Sequence, residues 1–249
     1  MSDPVIVTIA ALTARSLLGR RRSLLLVLLA LLPVAIAVLV QLSGRAGSGD
    51  GSVGTVIMDR LIVTTLMPIV GLVFGTAALG AELEDGTAVF LLVKPIARWR
   101  IVVAKLIVAA GLSVALVAPA SFIVGAILAP GGTGLSGAIG AAAGTAIGAT
   151  TYATVFFALR LVTGRALAIG LAYILVWEGV LAGLLEGIRV LSIRQYTLAI
   201  SAAIARPGVA DPDRLDALSA VVLATVAILV ATVIAMRRLG SFQIGQAED

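Results

Sequence analysis

Runs of about 20 apolar residues, parted by short charged stretches, limit the fold of this chain more than any other feature. Six of them reach the length a helix needs to cross a hydrocarbon layer: Leu24 to Leu42, Leu61 to Ala81, Ile101 to Ala129, Leu135 to Leu159, Ala166 to Leu185 and Ala217 to Met236. Lipid offers the backbone no hydrogen-bond partners, so a spanning segment must be a helix or part of a closed barrel. A barrel calls for alternating strands and aromatic girdles, whereas aromatics make up 4% of this sequence and Ala, Val, Leu and Gly dominate it. With 60% of its 249 residues hydrophobic, a soluble domain could not bury them. The expectation is an all-α integral membrane protein with six transmembrane helices. The third run is over-long, so its first turn is placed at the interface with Lys105 snorkelling towards water. The fourth, rich in Gly, Ala and Thr, is the least apolar.

Residues 1–23 read as an N-terminal interfacial helix ahead of a six-span domain at 24–249. Asp3 is suited to cap it and Pro4 to occupy the first helical position, while Thr8, Arg15 and Arg22 recur opposite Val5, Ile9 and Leu12. The late position of Arg20, Arg21 and Arg22, and the length of the run after them, argue against a cleaved signal peptide. If the N-terminus is cytoplasmic, that side holds twelve cations: Arg15, Arg20, Arg21, Arg22, Lys94, Arg98, Arg100, Lys105, Arg160, Arg165, Arg237 and Arg238. The far side holds six: Arg45, Arg60, Arg189, Arg194, Arg206 and Arg214. This bias predicts both termini in the cytoplasm. Residues 43–60 are Gly- and Ser-rich and read as a flexible outer loop. In the extracytoplasmic segment 186–216, the part through Ala205 is too polar to span and too apolar to be solvated, which suits re-entrant helices buried in protein.

The chain has no cysteine and no histidine, which removes disulfides, thiol nucleophiles, imidazole bases and the commonest metal ligands. It contains no phosphate loop, no Ser-His pair and no pair of intramembrane aspartates, so no cofactor, metal or catalytic group is expected in it. The net charge of +5 is explained by membrane topology rather than by nucleic acid. Glu178, beside Trp177, is the one acidic residue inside a predicted span. A carboxylate there costs about 2.5–3.5 kcal/mol and needs a partner or an aqueous cavity, leaving open a pathway residue or a packing contact. Gly140, Gly144 and Gly148, like Gly179, Gly183 and Gly187, form small-residue ridges suited to packing within the subunit more than to a dimer seam.

Acidic and basic residues crowd together only between the second and third runs. Asp85 and Thr87 can cap a short helix there, Gly86 allows a turn, and Ala88, Leu91 and Leu92 share a face before Pro95 ends it. Glu82, Glu84, Gly86, Thr87, Leu91, Leu92, Pro95, Arg98 and Lys105, in this order and spacing, resemble the permease subunits of type-2 ATP-binding-cassette (ABC) transporters. Asp85 before the glycine and Lys94, where a small or polar residue is more usual, depart from that pattern. The resemblance implies a cytoplasmic coupling helix within 82–100 that docks on a separate ATPase subunit. Glu82, Glu84, Gly86, Thr87, Leu91, Leu92, Pro95 and Arg98 would form the coupling site. It further implies a homodimer in a bacterial or archaeal cytoplasmic membrane, two partner ATPases binding ATP and Mg, and export of an unidentified cargo. The alternative is a stand-alone ion-coupled transporter or membrane assembly scaffold using Glu178.

Overall fold

The structure is a computed structural model that describes residues 4–19, 21–43, 52–84, 97–128, 133–181, 191–207 and 215–241. Helix α1 (Pro4–Leu18) is followed by α2 (Arg21–Leu42), the break falling at Gly19. One face of α1 is buried through Thr13 and Leu17 with Ile9 half-buried beside them, whereas Leu12, expected on that face, is 64% exposed. The seven-residue repeat of polar positions locates the exposed side but places its boundary one position off.

The second span is longer than its apolar run. It begins with α3 (Ser52–Val56), passes through a π-helical segment (Ile57–Leu66) and continues as α4 (Met67–Glu84). Ser52 to Arg60, expected in a loop, is therefore helical. In the π segment the amide of Met67 donates to the carbonyl of Ile62, five residues back. The hydroxyls of Thr64 and Thr65 donate to the carbonyls of Asp59 and Arg60, at 2.7 and 2.8 Å. Pro68 supplies a cause: its ring clashes with the carbonyl four residues earlier in a regular helix and offers that carbonyl no N–H, and a wider turn relieves the clash.

Helix α5 (Arg98–Leu128) is continuous across 31 residues, about 46 Å, despite Pro119. Lys105 does not snorkel: it is 1% exposed, and its Nζ donates to the Ala78 carbonyl of α4 at 2.8 Å. Helix α6 (Gly134–Val162) is the axis of the domain. A short helix, α7 (Ala166–Ala172), follows it, and α4, α5, α8 (Ile193–Ala205) and α9 (Ala217–Ser241) pack around it. The least apolar span is central because its small residues admit neighbours at backbone distance. A Cβ on Gly140 would lie 2.5 Å from the Ser201 carbonyl oxygen, and one on Gly144 2.5 Å from that of Thr197. The ridge thus packs within the subunit, as expected. On another face of α6, a Cβ on Gly71 of α4 would sit 2.6 Å from the Tyr152 Cβ, and one on Gly75 2.6 Å from the Ala153 carbonyl oxygen. The Oγ of Ser121 and the Oγ1 of Thr145 join α5 to α6 at 2.7 Å.

The fifth apolar run forms α7 and a second π segment (Tyr173–Leu181). Among the described residues, five helices are long and apolar enough to cross a membrane, and this run is a shorter apolar helix. The protein is a multi-pass membrane protein, all-helical among the described residues. Helices α2 and α9 are peripheral and turn wide apolar faces outward, Leu24, Leu28 and Leu39 on one and Leu218, Leu229 and Val230 on the other.

Candidate coupling end and intramembrane polar site

The charged loop joins the C-terminus of α4 to the N-terminus of α5. Glu82 and Glu84 belong to the last turn of α4, and Arg98 opens α5. Gly86, Thr87, Leu91, Leu92 and Pro95, with the expected coupling helix, lie outside the described residues. Around the loop's two ends, cations bond to carbonyls near helix C-termini. Arg98 Nη1 donates to the carbonyl of Leu239 in α9 at 3.1 Å. Arg160, at the end of α6, donates to the carbonyls of Gly80 at 3.4 Å and Gly164 at 2.7 Å. With Lys105 on Ala78, these contacts tie α4, α5, α6 and α9 together at one end. A carbonyl oxygen has two lone pairs and can take a side-chain donor beside its helical one, and cations suit the negative pole of a helix dipole. Beside them Arg100 lies over the half-exposed Trp99, 5.5 Å from the ring centroid.

At the opposite end the polar groups meet around the start of α8. Glu178 is 2% exposed and accepts three hydrogen bonds, from Ser192 Oγ at 2.6 Å, the Ile193 amide at 3.0 Å and Tyr173 Oη at 3.4 Å. Tyr173 and Glu178 are five residues apart, the spacing that a π turn brings onto one face. The carboxylate therefore caps the N-terminus of α8, where free amides and the positive pole of the helix dipole favour an anion. That arrangement supplies the partner which an intramembrane carboxylate requires. An aromatic ladder runs beside it: Tyr152 stacks on Phe156 at 5.8 Å, Phe156 meets Tyr173 edge-on at 6.2 Å, and Tyr173 stacks on Trp177 at 6.4 Å. One residue into α8, Arg194 forms a bidentate pair with Asp59 of the first π segment, 2.6 Å from Nη2 to Oδ2 and 3.3 Å from Nε to Oδ1.

Residues 18–188, well over half of the sequence, match the family described as ABC-2 family transporter protein. The chain belongs to that family. No curated protein matches it. Membership makes the chain a membrane permease of an ABC transporter, a class whose permeases work with an ATPase subunit and are generally non-catalytic. The match takes in the charged loop and the run bearing Glu178.

In this ABC-2 permease, sequence reasoning singles out Glu178 but misses Asp59 and Arg194 as a pair. They are 135 positions apart, and neither stands out from the other charges near its span ends. Gly71 and Gly75 carry a readable signal, since they repeat the four-residue spacing of the other ridges. Gly183 and Gly187 lie outside the described residues.

Proposed function

We propose that this chain is the permease half of an ABC exporter, with a second copy of itself completing the path and two copies of a separate ATPase binding ATP and Mg beneath it. The family match carries this reading, because it spans both the loop and the helices that the loop joins. The sequence has no phosphate loop, so nucleotide has to be bound by a partner. Both termini and the 82–100 loop are assigned to the cytoplasmic side of a bacterial or archaeal membrane, on the cation bias. Export is assigned on the resemblance, and α8 on the far side is the re-entrant helix.

Coupling through the loop is supported by what surrounds its ends. Because Lys105, Arg160 and Arg98 cross-link α4, α5, α6 and α9 there, a displacement of the loop would be felt by four helices at once. Leu91 and Leu92 would supply the apolar contact to the ATPase and Glu82, Glu84 and Arg98 its polar surround, with Thr87 a cap for the short helix and hinging at Gly86 and Pro95 letting the loop move as a lever. The apolar spans suit a lipid, drug-like or apolar peptide cargo.

The docking claim is tested by tagged recovery from native membranes in mild detergent. The unaltered chain is expected to bring down a stoichiometric subunit bearing a phosphate loop. Leu91→Asp with Leu92→Asp should reduce that recovery by about tenfold or more, since two charges in an apolar contact exceed the roughly 1.4 kcal/mol that a decade of affinity represents. Equal recovery from the double variant would remove the claim.

A further inference from the structure

The second span changes character at Met67–Pro68. Below that point α4 lies on α6 at backbone distance through Gly71 and Gly75. Above it, the π segment packs chiefly on α2, α5 and the start of α8. Pro68 withholds a helical hydrogen bond at the junction, and the π turns on its outer side are the less regular, more readily rewound form of helix. Of the elements facing the upper arm, α8 is seated on the glycines of α6 and capped by the buried Glu178.

The Asp59–Arg194 ion pair joins the upper arm to α8, and its side chains are 32% and 17% exposed. A partly hydrated pair can open and re-solvate its charges at small cost, whereas a buried one cannot. We infer that residues 52–66 form a gate arm, hinged at Met67–Pro68 and held against α8 by an Asp59–Arg194 catch. When the catch opens, the arm swings from the joint and uncovers its inner face, which bears Ile62, Val63 and Leu66, each no more than 2% exposed. This device requires a membrane permease but neither the direction of transport nor the identity of the ATPase.

The absence of native cysteine gives a clean test on the full chain in lipid nanodiscs, where both faces are accessible. Val63→Cys reports the arm, and Thr151→Cys, at a site 0% exposed on α6, reports the body. The probe is a water-soluble maleimide. Asp59→Asn is expected to speed labelling at position 63 by about fivefold or more, the scale on which losing a partly exposed ion pair raises an open population. Position 151 should be unchanged. Adding Pro68→Ala, which restores the N–H at the joint, should slow position 63 again, and Asp59→Arg with Arg194→Asp should return it close to the parent rate. Three results would each overturn the inference: Asp59→Asn labelling position 63 at the parent rate, acceleration at position 151 to the same extent, or failure of both Pro68→Ala and the reversed pair to slow position 63.

Discussion

Glu178→Ala is expected to destabilise the protein by about 3–5 kcal/mol. The substitution strips the acceptor from the Ser192 hydroxyl and the Ile193 amide, two buried donors that would each forfeit about 1–3 kcal/mol of solvation, and it leaves a void at a site now 2% exposed. Glu178→Gln keeps an oxygen for the Ile193 amide and fills the same volume, so its cost should be nearer to about 1–2 kcal/mol. Thermal unfolding in mild detergent, followed by loss of monodisperse protein, measures both. An alanine variant that survives heating as well as the parent would show that the cap is dispensable. A glutamine variant as damaged as the alanine one would mean that the negative charge itself holds α8.

Gly144→Ala and Gly75→Ala should each cost about 2–3 kcal/mol, and their effects should add. In both, the new Cβ meets a carbonyl oxygen of another helix, Thr197 at 2.5 Å and Ala153 at 2.6 Å. A backbone atom cannot rotate away as a side chain can, so α8 or α4 must move off α6. Gly111→Ala is the matching control. It stands on the outer face of α5, where a Cβ would meet nothing within 4 Å, and should be neutral or stabilising by up to about 1 kcal/mol. The readout is the same heating assay, alongside the amount of each variant recovered from membranes. Equal behaviour of all three would mean that α6 is not packed at backbone distance.

Both predictions concern contacts whose existence is hinted at in the sequence and whose partners are not. The ridge Gly140, Gly144 and Gly148 declares a close helix approach, but α8 as its partner emerges only from the packing. Glu178 declares an unmet need for hydrogen bonds, and two of its three donors prove to be at the start of a helix, 14 and 15 positions on. Lys105 departs from expectation for a related reason. A lysine near the end of an over-long apolar run ordinarily reaches for water, and here the carbonyl of Ala78 lies within reach inside the protein. Ser52 to Arg60 reads as loop because it belongs to the Gly- and Ser-rich stretch 43–60. Pairing with Arg194 makes the charge of Asp59 tolerable within a helix.

Solvent and helical elements are readable from local sequence. Hydropathy sums over neighbouring residues, so a lipid environment and the positions of α2, α5, α6 and α9 follow from local composition. The same locality holds for the loop pattern, whose resemblance to the family is read without any knowledge of packing. Which helix is central, where the second span changes from π to α against its neighbours, and which charges meet are settled by folding. Those outcomes depend on groups as far as 141 positions apart, as with Arg98 and Leu239, and a local pattern carries no information about a partner that only folding brings within hydrogen-bond reach.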